Sequence, residues 1–120
     1  MTAVNVYFKT AFQSQGTLKG NVQPVGASGY RFTGTLTCTC DLNRSTTSFV
    51  NTVRVGHGGT SSGLTYNEYS PVVRRPGPSS FDVALEGVRN NNETVDFQQG
   101  FNEGLSGQYT DGNRVTSQVE

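Results

Sequence analysis

The sequence contains no tryptophan and few apolar residues of any kind. Only 32% of its 120 residues are hydrophobic, whereas glycine alone occurs 15 times. A chain of this length corresponds to one domain, which buries roughly two-thirds of the surface of the unfolded chain. Because so little apolar material is available to fill an interior, we expect a single domain over residues 1–120 that completes its core by pairing with a second chain.

Long apolar runs and an excess of charge are also missing. No segment approaches the roughly 20 apolar residues needed to cross a bilayer, and the start of the chain, Met1–Val6, has neither the charged end nor the apolar stretch of a signal peptide. We therefore expect a cytoplasmic protein without a membrane partner. Nine basic and nine acidic residues cancel, so a nucleic-acid partner would have to be bound by a local cluster.

Side chains for catalysis or metal binding are equally scarce. The single histidine, His57, stands beside a Gly-Gly pair, and its simplest interpretation is a solvent-facing residue at a strand end. Cys38 and Cys40 would share one face of a strand, where a disulfide is geometrically poor. They are best interpreted as small buried thiols, with a zinc half-site assisted by His57 as the alternative. The sequence thus predicts no enzyme, no metal and no cofactor.

Alternation of apolar and polar residues is the clearest structural signal. From Tyr30 to Asp41, aromatic, aliphatic and cysteine side chains occupy one parity and threonines the other, which predicts a strand with one apolar and one hydroxyl-rich face. Shorter extended segments are predicted at Val4–Phe12, Thr17–Pro24, Phe49–His57, Leu64–Val73 and Ser80–Gly87.

Turn-forming residues between these segments suggest how they connect. The loop Gln13–Gly16 predicts an N-terminal hairpin, and Asp41–Ser45 predicts a second hairpin joining the alternating strand to Phe49–His57. The run Gly58–Gly63 should form a mobile loop. Residues 1–88 are therefore expected to form an antiparallel sheet of about five strands.

The spacing of apolar residues changes to four beyond residue 92, at Phe97, Phe101 and Leu105. With acidic residues in its first turn, this pattern predicts an amphipathic helix from Glu93 to Leu105, which would be too weak to stand alone. Residues 109–120 could add a second short helix. The expected fold class is α+β, mostly β, with a sheet region at 1–88 and a helical region at 93–120.

A polar stripe runs along the predicted strands. Since threonine suits strands, the plain interpretation is a solvated face. The functional interpretation is a platform whose hydroxyl and guanidinium groups bind phosphates and unpaired bases of RNA. Its members, which should share one sheet face, are Arg31, Thr33, Thr35, Thr52, Arg54, Ser80 and Asp82. The pair Arg74 and Arg75 could contact RNA or a neighbouring subunit, or could simply be solvated.

The order of these elements resembles the coat proteins of single-stranded RNA bacteriophages, the leviviruses. Tyr30–Thr33 resembles the start of the strand on the family's RNA face, and Pro71–Arg74 and Phe81–Val83 resemble its sixth and seventh strands. The triplet Asp111–Asn113 falls where the family turns between its two helices. The resemblance extends over nearly the whole chain as an arrangement, on short motifs.

That resemblance implies a structural protein of the virion. Two chains would join edge to edge into one sheet, with the C-terminal helices crossing over the dimer partner, and the homodimers would assemble in the host bacterial cytoplasm into an icosahedral capsid. The inner sheet face would bind a hairpin of the viral genomic RNA through the seven residues of the polar stripe. The alternative is a small cytoplasmic β-sandwich lectin that binds carbohydrate through polar loop groups and an aromatic residue such as Tyr66 or Tyr69.

Overall fold

The computed structural model describes residues 1–9, 15–40, 51–61, 68–69, 72–73, 77–102 and 109–120. All regular structure within these ranges is β, and none of it is a helix that could cross a membrane. The strands are β1 (Thr2–Lys9), β2 (Gln15–Val25), β3 (Gly29–Cys40), β4 (Asn51–Gly59), β5 (Glu68–Tyr69), β6 (Val72–Val73), β7 (Gly77–Val88), β8 (Val95–Asn102) and β9 (Tyr109–Ser117).

The strands form two antiparallel sheets. The first sheet has the order β1-β2-β3-β7, and the second has the order β5-β4-β8-β9, with the short β6 also paired to β4. The expected N-terminal hairpin is present, since β1 pairs with β2 from Thr2 opposite Val22 to Lys9 opposite Gln15. Strands β4 and β8 occupy the middle of the second sheet, so each sheet has an inner face wide enough to cover the other.

The core lies between these inner faces. Alternation in β3 is confirmed, because Tyr30, Phe32, Leu36 and Cys38 are buried. The rings of Phe32 and Phe97 lie 5.3 Å apart between centroids, which joins the first sheet to the second. Each buried phenylalanine contributes roughly 1.5–3 kcal/mol relative to an exposed one. The fold is therefore a two-layer β-sandwich held by a small set of inward-facing side chains.

The predicted helix from Glu93 to Leu105 is wrong over the part that the structure describes. Residues Val95–Asn102 form β8, and Val95, Phe97 and Gln99 are all fully buried. Four is an even number, so apolar residues spaced by four fit one side of a strand as well as one side of a helix. Polar Gln99 between them interrupts the apolar alternation, and this made the strand resemble a helix.

The second short helix is also wrong. Residues Tyr109–Ser117 form β9, and the triplet Asp111–Asn113, expected as a turn, contains a β-bulge. The register passes from Gln98 opposite Arg114 to Gly100 opposite Asp111. The α+β fold class, with its helical region at 93–120 packed on a dimer partner, is accordingly replaced by an all-β fold in the described residues.

The hairpin predicted between the strand at Tyr30 and the strand at Phe49–His57 does not form. Strand β3 pairs with β2 and β7 in the first sheet, whereas β4 pairs with β5, β6 and β8 in the second. Glycines 58 and 59, expected in a mobile loop, continue β4 opposite Asp96 and Val95. Alternation reveals which faces a strand has, but it carries no information about which strand will be its neighbour.

His57 is buried, contrary to the expected position at the solvent. Only 4% of the residue is exposed, and its Nδ1 lies 2.6 Å from the hydroxyl of Tyr30, which forms a hydrogen bond across the gap between the sheets. Burial lowers the pKa of His57 to about 4 and raises the pKa of Tyr30 to about 12. A neutral imidazole therefore shares a hydrogen bond with a buried tyrosine.

This pair should make the sandwich acid-sensitive. The folded pKa of about 4 lies below the ordinary value of 6.5, so the unfolded chain takes up the proton first as the pH falls. The contribution of His57 is complete above pH 6.5 and is lost towards pH 4, a loss on the order of 2 kcal/mol by pH 4.5. Urea unfolding at pH 7.5 and 4.5 measures it. His57→Gln keeps a polar group that can form a hydrogen bond but does not titrate, so the free energy of unfolding should depend less on pH. If wild type and His57→Gln lose the same free energy of unfolding between the two pH values, the assignment is contradicted.

Candidate functional site

The outer face of the first sheet brings together most of the predicted polar stripe. Arg31, Thr33 and Thr35 lie on β3, and the register places Asp82 of β7 directly opposite Thr35. Ser80 lies two residues before Asp82 and is exposed like it. These five side chains therefore lie on the neighbouring strands β3 and β7 and share the outer face of the four-stranded sheet.

Thr52 and Arg54 do not belong to that surface. Both lie on β4 in the second sheet. The neighbouring residues Val53 and Val55 are fully buried, so the parity of Arg54 is that of the outer side of the second sheet. The core separates them from the other predicted residues, and the expectation of one continuous face of seven residues is wrong.

The shared surface is electrically balanced. Arg31 is already engaged by Glu86 through a 2.7 Å ion pair, and Lys19 stands in the same row as Thr35 and Asp82. Two cations thus face two carboxylates among the described side chains. An exposed pair of this kind is worth about 0–1 kcal/mol. The described side chains of this surface consequently offer hydroxyls and local charge pairs, without an excess of positive charge that would attract a polyanion.

A shallow depression of about 110 Å³ lies at one end of this outer face. Tyr7, Thr17 and Thr37 form one cross-strand row, and Gln15 and Thr39 form the next. The backbone between the two rows forms the floor. The depression, called the Tyr7 depression below, is lined by Tyr7, Gln15, Gly16, Thr17, Thr37, Cys38 and Thr39.

Tyr7 gives this depression an aromatic wall. Its side chain is 47% exposed, although large apolar groups are usually covered. Its hydroxyl donates to Gln15 Oε1 at 2.8 Å, which fixes the ring against the neighbouring strand. The alternation of β1 could have predicted this exposure. Val4 and Val6 face the core, so Tyr7, which follows Val6 in the strand, points outward. The site is therefore an exposed ring beside hydroxyl and amide groups.

The remaining sequence candidates are not brought into the depression as functional groups. Cys38 is buried, as expected for a structural thiol, and no cluster of metal-binding side chains occurs within the described ranges. Tyr69 packs, partly buried, against the core. Tyr66 and the pair Arg74 and Arg75 lie outside the described residues, as does the Cys40 side chain.

Arg89 holds the opposite end of the sandwich together. Its buried guanidinium donates to the carbonyl oxygens of Gly29 and Glu93 at 2.9 Å each and to that of Gly26 at 3.3 Å. These bonds tie the β2–β3 turn to the segment between β7 and β8. The three carbonyls satisfy a guanidinium that would otherwise be buried without partners, so the role of Arg89 is structural.

Glu93 organises the surface next to Arg89. Its carboxylate accepts hydrogen bonds from the Thr60 hydroxyl at 2.9 Å and from the backbone N–H of Asn90 at 2.7 Å, and from the backbone N–H of Ser61. The hydrogen bonds from Ser61 and Asn90 lower the pKa of Glu93 to about 2. This carboxylate fastens the end of β4 to the start of β8, and its donors are all protein groups.

A comparison of the chain with protein-family models gave no match, and neither did a comparison with curated protein sequences.

Replacing Glu93 with glutamine should lower the thermal unfolding midpoint at pH 7, because the neutral amide accepts these hydrogen bonds less strongly. The folded pKa of about 2 lies below the ordinary 4.5, so the stabilisation is present above pH 4.5 and is lost as the pH falls towards 2. Calorimetry at pH 7 and pH 2.5 should show that the difference in unfolding midpoint between wild type and Glu93→Gln narrows in acid. Glu86→Gln, which alters only an exposed ion pair, is the matched control. A difference as large at pH 2.5 as at pH 7 would contradict the assignment.

Proposed function

We propose that the chain is a non-enzymatic carbohydrate-binding module that takes a neutral sugar in the Tyr7 depression. One observation carries the proposal: an exposed aromatic ring stands beside threonine hydroxyls and a glutamine amide, with no charged side chain among the described lining residues. A sugar ring has an apolar C–H face that packs on an aromatic ring, and hydroxyls that both donate and accept hydrogen bonds. The two surfaces match in polarity.

In this proposal the Tyr7 ring and the threonine hydroxyls contact different parts of the sugar. Because the Tyr7 hydroxyl is engaged by Gln15 at 2.8 Å, the ring is held in place before a ligand arrives. The hydroxyls of Thr37 and Thr39 lie on one strand, roughly 6.8 Å apart along the backbone, and can reach different substituents of one ring. β-Branched threonines also lose little rotamer freedom when they bind.

The chemistry of the lining supports binding without turnover. Glycoside hydrolysis uses a pair of carboxyl groups on either side of the scissile bond. The described lining of the Tyr7 depression consists of the Tyr7 ring, threonine hydroxyls, the Gln15 amide and backbone groups. A sugar held there would meet no acid or base among these groups.

The second candidate function is the RNA-binding coat subunit of a single-stranded RNA phage. The observation that favours it is the shared exposure of Arg31, Thr33, Thr35, Ser80 and Asp82 on one sheet face. Tyr7 could also stack an unpaired base. The charge balance of that face counts against it, since phosphate contacts normally need uncompensated lysine or arginine. We rank it below carbohydrate binding for this reason.

Replacing Tyr7 with alanine should weaken glycan binding roughly three- to tenfold, because the aromatic packing is lost. Tyr7→Phe keeps the ring and should retain most of the affinity. A glycan array would identify the ligand, and isothermal titration calorimetry would compare the variants. Arg31→Ala lies outside the depression and should bind glycan as the wild type does.

The same proteins separate the two candidate functions. In the carbohydrate proposal, short single-stranded RNA binds weakly and Arg31→Ala changes nothing. Salt-sensitive RNA binding that Arg31→Ala weakens, together with a silent glycan array and self-assembled particles, would favour the coat subunit instead. An absence of binding to either ligand class would reject both proposals.

A further inference from the structure

The strand that carries Tyr7 lies at the edge of its sheet. Among the described strands, β1 pairs with β2 alone, and Tyr7 is close to the end of β1. A terminal residue of an edge strand is free to move unless other groups restrain it, because one side of its backbone has no ladder partner. The position of the aromatic wall therefore depends on contacts from outside the first sheet.

Asn113 of β9 supplies one such contact. Its side-chain Nδ2 donates to the backbone carbonyl oxygen of Tyr7 at 2.5 Å. The bulge in β9 makes this possible, since Gly112 and Asn113 together occupy the space opposite Gln99 alone. A bulge twists a strand and re-aims the side chain it carries. Here it directs an amide at the unpaired edge of β1.

Gln99 of β8 supplies a second contact from inside the core. Its side chain is fully buried, where an amide without partners would be costly. Of its two amide orientations, the one that satisfies both ends directs Nε2 at the carbonyl oxygens of Val6 and Gly16, 3.3 Å from each. Val6 precedes Tyr7 in the chain, and Gly16 belongs to the floor of the depression.

We infer that Asn113 and Gln99 are positioning residues of the Tyr7 depression, through which the second sheet fixes a binding site on the first. The inference rests on the proposed carbohydrate function. Asn113 restrains the backbone of Tyr7 from the edge of β1. Gln99 restrains the backbone of Val6 and Gly16 from the core side of the sheet. Neither side chain is among the lining residues, so they act by holding the strand backbone before the ligand binds.

Asn113→Asp is the informative substitution. It preserves the shape of the side chain but places a carboxylate oxygen against the Tyr7 carbonyl in place of the N–H donor. We expect a loss of at least fivefold in affinity for the glycan identified on the array, by calorimetry. Asn113→Gln keeps the amide donor on a longer arm and should restore part of it. Asn21→Asp adds the same charge on the outer face of β2, away from the depression, and should bind as the wild type does.

A ligand-free signal separates positioning from general stability. The backbone N–H of Phe8 shares its peptide group with the Tyr7 carbonyl, so its NMR chemical shift and hydrogen-exchange rate report on the bond from Asn113. Both should change in Asn113→Asp and stay unchanged in Asn21→Asp. Gln99→Met, a nearly isosteric apolar replacement, tests the contact from beneath in the same assay.

The possible results are distinct. If the wild type binds the glycan, and Asn113→Asp and Gln99→Met bind it with the same affinity as the wild type, the inference is overturned and the carbohydrate proposal stands. Affinity that falls only in step with the unfolding temperature, with no change at Phe8, would show a merely structural role and would also overturn it. A wild-type protein that binds no glycan would refute the proposed function, and the inference with it.

Discussion

The burial of Phe32 against Phe97 is the contact on which the rest of the molecule depends. The two rings join the middle of the first sheet to the middle of the second at a centroid distance of 5.3 Å. A chain that is only 32% hydrophobic cannot fill a large interior, so its apolar side chains are concentrated on two inner faces. Glycines make room for them: a Cβ at Gly20 or Gly34 would lie 2.8 or 2.9 Å from the ring of Phe32. The outer faces are left to polar residues.

Polar groups inside this sandwich connect the sheets where apolar ones are scarce. Tyr30 reaches His57 across the interior, and Gln99 reaches the backbone of β1 and β2. Each bond satisfies a group that would otherwise be buried without a partner. The consequence differs between the two. The imidazole makes stability depend on pH, since burial favours its neutral form, whereas the amide does not titrate and connects the core to the surface depression.

The proposed site follows from the same alternation that builds the core. Burial of Val4 and Val6 turns Tyr7 outward, and burial along β2 and β3 exposes the hydroxyls and amide beside it. Charge selects the ligand class in this proposal: Arg31 is paired with Glu86 at 2.7 Å, and the described lining residues of the depression are uncharged. A neutral polyhydroxyl ligand suits such a surface better than a phosphate chain does.

The sequence alone determined the local features: the strand at Tyr30–Cys40 with its buried and exposed faces, the N-terminal hairpin and the burial of Cys38. Each depends on residues close together in the chain. The tertiary structure decided which strands are neighbours. In the folded chain, Thr52 and Arg54 lie in a different sheet from Arg31, and His57 is buried. Phe97 lies on a strand where a helix was expected, and Asn113 contacts Tyr7. Period-two and period-four spacings record which side chains share a face, but strand pairing joins segments far apart in sequence, and no local pattern encodes that choice.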